Sequence, residues 1–334
     1  MKEYLANLKR ARIPLIAIIA TLGLLTSSCS SSEEAAQTKL NLVGNFYPVS
    51  WLVEQIAGEG ANVSSLTPDG AEPHDLQLDA QSLALIQGAD LVFYLGSEFQ
   101  PDVEKAMGQL DDPTKAVDLL KSPGLKLLDA KEEDHDHSHE GEEDHDHSNE
   151  GEEEAEHKHP LAGGKDPHVW LDPANMIRMA GMIFSELKRI SPTQEEKFAS
   201  NRDSLIGSLN SLDQEFTASL SNCKVKTLVT SHEAFLYLTD KYGFEQVAIA
   251  GISPEDEPDA KRLASISKIA KETGVTHVYF EDVLPTGLSE TVANEIGAKL
   301  SLLSALEFNP TSGDYLSQMR MNLSSIIEGQ GCQN

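Results

Sequence analysis

Four histidines of this 334-residue chain stand in settings where an imidazole could bind a metal or move a proton: His74, His168, His232 and His277. His74 lies in Glu72-Pro73-His74-Asp75, shortly after an apolar run. His232 directly follows another such run, in Ser231-His232-Glu233. His168 sits in the proline-bounded stretch Asp166-Pro167-His168-Val169-Trp170-Leu171-Asp172-Pro173, and His277 opens the run HVYF. Any one of them alone is more often a hydrogen-bonded structural residue than a ligand. Open α/β sheets bind ligands beyond the carboxyl ends of their strands, and only His74 and His232 follow strand-like runs closely enough to stand there. With His168 in a stiffened loop, three imidazoles would converge between two lobes, a donor set that favours Zn²⁺ over hard cations. His277 stands at the opposite end of its strand.

The other seven histidines, His135, His137, His139, His145, His147, His157 and His159, share one segment with fourteen acids and two lysines between positions 131 and 159. Such a run cannot build a core, so residues 131–164 read as a disordered surface insertion. Alternating His and Asp offers weak, interchangeable zinc sites in a field that concentrates cations. The competing reading is a solvated, nonessential insertion.

The elements that must carry these side chains alternate. Residues 40–43, 62–66 and 90–95 read as strands, with helices at 49–57 and 81–87. The order repeats with strands at 226–230, 246–250 and 277–280 and helices at 234–242, 259–273 and 290–300. Parallel sheets covered by helices follow, an α/β fold of two lobes. Apolar residues at Phe198, Leu205, Leu209, Leu212, Phe216 and Leu220 fall on one helical face. They predict one long helix over 192–221 that bridges the lobes. The expected organisation is a leader at 1–28, a tether at 29–38, a first lobe at 39–173, helices at 174–221 and a second lobe at 222–334.

The leader reads as an export signal, because Lys9, Arg10 and Arg12 precede an apolar run at 13–25 too short for a comfortable membrane span. Thr26-Ser27-Ser28-Cys29 resembles a bacterial lipoprotein cleavage site, which would make Cys29 the lipidated first residue. Cys223 and Cys332 remain, a pair that an oxidising compartment could join or leave as free thiols.

The segments around His74, His168 and His232, together with Tyr279-Phe280-Glu281, resemble the signature stretches of the metal-binding solute-binding proteins of ABC transporters (cluster A-I). The His- and acid-rich insertion resembles the zinc-specific ZnuA-type members. The resemblance runs in order from about Leu40 to the end of the chain. It implies two four-stranded (β/α)₄ lobes joined by a long helix, one metal in the cleft, and delivery to a membrane permease driven by a cytoplasmic ATPase. His74, His168 and His232 match the family's ligand positions. Many members add a carboxylate in a Leu-Asp-Pro-Leu-like stretch, which here reads Leu303-Ser304-Ala305-Leu306. Ser304 is therefore expected to replace the acid, leaving the fourth place to water or to Glu281, which could instead orient a histidine from behind. This pattern fits zinc better than manganese or iron.

The net charge of −28 argues against nucleic acid and against a polybasic contact with anionic lipid. A monomeric, exported zinc-binding protein that is not an enzyme is the expected reading. The alternatives are a manganese- or iron-binding member of the same family, a zinc-dependent hydrolase, and an adhesin or metal store. The hydrolase finds no His-Glu-x-x-His helix and no nucleophile elbow in the chain.

Overall fold

Leu40–Gly44 (β1) and Leu91–Tyr94 (β3) are short and mostly apolar; β3 and the second half of β1 are buried, as central strands covered on both faces must be. A computed structural model describes residues 39–130, 164–256, 258–281 and 284–333. The leader, the tether with Cys29, and the seven histidines of the acidic segment lie outside the described residues.

Tyr47–Ala57 (α1) starts with Pro48 in its first turn, where the ring pre-sets φ and no amide partner is lost, and it stops at Gly58, whose φ is 54°. It leads to Ala61–Ser65 (β2). Ala80–Gly88 (α2) crosses from β2 to β3, and Pro101–Met107 (α3) crosses from β3 to Ala116–Asp118 (β4). All pairings are parallel, in the order β2-β1-β3-β4.

The second half repeats the plan. Thr227–Thr230 (β5), Glu245–Ala248 (β6), His277–Phe280 (β7) and Lys299–Leu302 (β8) pair in parallel in the order β6-β5-β7-β8. Leu236–Tyr242 (α6 in chain order), Ala260–Glu272 (α7) and Gly287–Ile296 (α8) supply the crossovers, and Tyr315–Gly329 (α9) closes the chain. In each sheet the strand order reverses between the two central strands. The crevice at such a reversal is where open sheets hold ligands.

Between the halves run Pro173–Ile190 (α4) and Glu195–Leu220 (α5). Asp172 caps α4 by accepting from the Ala174 amide, and Lys188 and Arg189 sit in its last turn, where cations suit the helix dipole. The buried residues of α5 are Phe198, Leu205, Leu209, Leu212, Phe216 and Leu220, the stripe legible in the sequence. Through them α5 packs on α4 and α1 on one side and on α9 and α6 on the other, so one continuous apolar core crosses both halves. The helix is shorter than the 192–221 expected because Pro192–Gln194 forms a separate 3₁₀ turn ahead of it.

One element differs in kind. The helix expected over 290–300 ends at Ile296, where Gly297 takes a left-handed φ of 71°, and residues 299–302 form β8 instead. Both β4 and β8 are outer strands: β4 has only three residues, AVD, and β8 opens on the exposed Lys299, so neither carries the apolar run that marks central ones.

A disulfide joins Cys223, just after α5, to Cys332, just after α9. Ala130 N donates to Gly164 O at 2.8 Å, so the two ends of the His- and acid-rich segment meet. Among the described residues no helix is long and apolar enough to cross a membrane.

Candidate metal centre

Each chemically active side chain is placed by a loop that the sheets hold rigidly. The loop after β2 carries His74. Gln100, buried after β3, accepts from Asn45 Nδ2 (2.8 Å) and donates from Nε2 to Pro73 O (2.9 Å) and Thr67 Oγ1 (3.0 Å). That network ties the loop to the first sheet's reversal point. Glu72 Oε1 accepts from the His74 amide (3.1 Å), and the His74 ring packs edge-on against Phe99.

His168 precedes the 3₁₀ turn Val169–Leu171, and Asp166 fixes it twice, accepting from its amide (2.8 Å) and contacting its Nδ1 (3.0 Å). His232 follows β5, with its carbonyl accepting from Thr230 Oγ1 (2.8 Å) and Gln246 Nε2 (2.9 Å). Its Nδ1 lies 2.6 Å from Glu281 Oε1. A carboxylate on Nδ1 directs Nε2 outward as a donor atom for a metal.

The three Nε2 atoms meet at one point. Glu307 Oε1 lies 3.3 Å from His74 Nε2, 3.2 Å from His168 Nε2 and 3.5 Å from His232 Nε2. The ligating atoms of these four residues all fall within 4.8 Å of one another. Zinc bonds of about 2.0–2.1 Å in a tetrahedron place neighbouring ligands about 3.3–3.4 Å apart. His168 and His232 are fully buried, yet their Nε2 atoms have no hydrogen-bond partner. Leaving such groups unpartnered is costly, and a cation at their common focus would satisfy both.

The electrostatics follow from packing three imidazoles around a buried carboxylate. Burial pulls every histidine toward neutrality. For His74 burial wins, and its pKa falls. At His168 burial is opposed by Asp166 and Glu307, which together raise the pKa to about 9. At His232 Glu281 and Glu307 overcome burial and raise it well above the usual value. Burial would raise Glu307, but the imidazoles, His232 foremost, hold it well below the usual carboxylate range. Glu72 rises to about 8, through burial first and the Glu307 charge second.

His74, His168 and His232, expected from the sequence to share one cleft, stand together. The expectation that Ser304 leaves the loop after β8 without an acid is corrected: Glu307 stands there, three residues beyond Ser304. Asn322 grips Ser304, donating from Nδ2 to its carbonyl (2.7 Å) and accepting from its amide (2.9 Å). Ser304 Oγ accepts from Leu306 N (3.1 Å), and Leu306 adopts a left-handed φ of 62° that turns the chain back toward the histidines. Trp170 Nε1 completes the arch by donating to Ala305 O (2.7 Å). The only sequence signal for Glu307 was an acid immediately after the quoted tetrapeptide. Of the two roles open to Glu281, the geometry places it behind His232, where it also accepts from Ser231 Oγ (2.6 Å) and Ala305 N (3.2 Å). His277 is elsewhere, with Nδ1 2.9 Å from Thr276 Oγ1.

A family model described as the periplasmic zinc-uptake complex component A, ZnuA, matches residues 43–329. The chain belongs to this family. It is 36% identical over 318 residues to the zinc-binding lipoprotein AdcA of Streptococcus pneumoniae, an alignment covering 92% of this chain and 59% of that protein's length. It is 34% identical over 323 residues to the high-affinity zinc uptake system protein ZnuA of Bacillus subtilis, covering 92% of this chain and 95% of the relative. Among solved structures, the Zn(II)-bound ZnuA-like domain of S. pneumoniae AdcA superposes with a TM-score of 0.69 at 32% identity, over 87% of this chain and 99% of that one. Two four-stranded α/β lobes are thus the ZnuA-family architecture, and this chain has both.

Proposed function

We propose that the chain is the extracytoplasmic solute-binding component of a zinc ABC importer, holding Zn²⁺ between His74, His168, His232 and Glu307 and passing it to a membrane permease driven by a cytoplasmic ATPase. The observation that carries this reading is the convergence of three Nε2 atoms on Glu307 Oε1 within 3.5 Å, in a site almost closed to water. Three imidazoles and one carboxylate suit zinc, whereas manganese and iron prefer more oxygen donors. The zinc-binding and zinc-uptake names of the relatives point the same way.

Four protein donors leave no open coordination position for a catalytic water, so the site suits cargo better than hydrolysis. Family membership in a zinc-uptake component supports a role outside catalysis. A leader at 1–28 followed by Cys29 supports export, with a lipid anchor through that cysteine. The histidines at 135–159 act in this reading as a weak collecting surface. Gly164, at the end of that segment, is four residues from His168 in the chain. The protein works as a monomer.

Metal analysis of the purified protein, with and without His74→Ala, tests the assignment together with growth rescue in zinc-poor medium. One tightly held zinc that the substitution loosens is expected. Bound manganese in preference to zinc, or hydrolase activity requiring the same residues, would overturn it.

A further inference from the structure

Beside the four-residue cluster lies a cavity of about 230 Å³, room for several waters, walled by α1, the end of β2 and the segments 67–69 and 307–309. Its inner end is Glu307, the one member of the cluster that lines it. Glu307 is only 1% exposed, and while Oε1 faces the imidazoles, Oε2 has no hydrogen-bond partner. Along the wall, Trp51 Nε1 and Ser50 Oγ are also buried and without partners.

The outer end is lined by the exposed residues Glu54, Ser65, Asp69 and Asn309. Its two carboxylates would raise the local concentration of a cation at the mouth. Across that mouth Asn309 Nδ2 donates to Asp69 Oδ1 at 3.0 Å. The bond links the loop after β2 to the loop after β8, so it spans the two halves of the fold.

We propose that this cavity is the passage by which a partly hydrated divalent cation reaches and leaves the cluster, with the Asp69–Asn309 bond as a gate across its mouth. The proposal rests on the reading of the cluster as a metal site and adds the route. His168 and His232 are wholly buried, and α4, α5 and α9 fasten the two sheets through one core, so wide parting of the lobes would break much of that packing. A side passage ending at a carboxylate needs no such movement. Glu307 meets the ion first, and its Oε1 already faces the three imidazoles that complete its shell.

The test is metal exchange by stopped flow, using Zn²⁺ with a fluorescent indicator for association and an excess of chelator for release. Asn309→Ala, which trims an exposed side chain, is expected to speed both rates about threefold to tenfold, the factor one lost hydrogen bond commands. Ser65→Trp, at the exposed end of an outer strand, is expected to plug the cavity and slow both rates about tenfold or more, with one zinc still bound and the dissociation constant within about threefold of wild type. If Ser65→Trp fails to fold, Asn309→Ala decides alone. Folded variants that bind one zinc and exchange it at wild-type rates would overturn the passage while leaving the metal site standing. A wild-type protein that takes up no zinc would overturn the metal site, and the passage with it.

Discussion

Glu281 Oε1 lies 2.6 Å from His232 Nδ1, while Oε2 of the same carboxylate accepts from the Ala305 amide at 3.2 Å. One side chain thus orients an imidazole of the cluster and pins the arch that delivers Glu307. Replacing it by glutamine keeps the size but puts a weaker, neutral partner behind the ring. Glu281→Gln is expected to weaken zinc binding about 10–100-fold, the usual cost of losing an outer partner of a ligating histidine. Isothermal titration against a competing chelator measures it, and unchanged affinity would separate Glu281 from the site.

The three-residue distance between Ser304 and Glu307 makes a second discrimination possible. Glu307→Ala is expected to lower zinc affinity by about a hundredfold or more, roughly 2.8 kcal/mol at 1.4 kcal/mol per decade. Ser304→Ala removes one hydrogen bond to the Leu306 amide and is expected to cost less than about tenfold in affinity. The reverse order would make Ser304 the ligand and Glu307 a bystander.

Metal and protons compete for the same nitrogens. In the metal-free protein His168, with its pKa raised to about 9 by Asp166 and Glu307, and His232, raised well above its ordinary value by Glu281 and Glu307, carry protons at neutral pH. Zinc binding near pH 7.5 is therefore expected to release about two protons, visible as a dependence of the binding heat on the buffer's ionisation enthalpy. Affinity should rise with pH up to about 9 and collapse on acidification. The metal-free protein should behave oppositely. A raised folded-state pKa contributes stability that is complete below the ordinary histidine value of about 6.5 and fades as pH rises through about 9. Its melting temperature is expected to fall over that interval, and a flat profile would contradict the ion pairing described for His168.

The Cys223–Cys332 bond closes a loop with a sequence separation of 109. Constraining an unfolded chain over that length is worth about 4–5 kcal/mol in the chain-entropy account, and measured losses run about 2–5 kcal/mol. A Cys223→Ser, Cys332→Ser double variant, or the reduced wild type, is expected to unfold at correspondingly lower urea concentration. An unchanged midpoint would show that the packing of α9 on α5 holds this region without the bond.

Deleting residues 132–159 is expected to leave one tightly bound zinc per chain and abolish any further, weaker zinc. Equilibrium dialysis with metal analysis resolves the two classes. Stoichiometry identical to wild type would remove the segment as a binding surface.

Much of this molecule is legible in its one-dimensional pattern, for a physical reason. Central strands such as β3, β5 and β7 are buried on both faces, so they are built mostly of apolar and β-branched residues, and α5 must repeat its apolar residues at helical spacing to fill the core between the halves. A histidine directly after such a strand announces itself, as His232 does after β5. The outer strands β4 and β8 escape notice because β4 is only three residues long and β8 opens on the exposed Lys299 and Leu300. Glu307 escapes for a different reason. Its position depends on the left-handed turn at Leu306 and on hydrogen bonds that the arch makes with Asn322, Trp170 and Glu281, residues between 15 and 137 positions away in the chain. Local composition determines which residues can serve as donors. Only the packing of distant segments against one another decides which carboxylate stands among the imidazoles and which stands behind them.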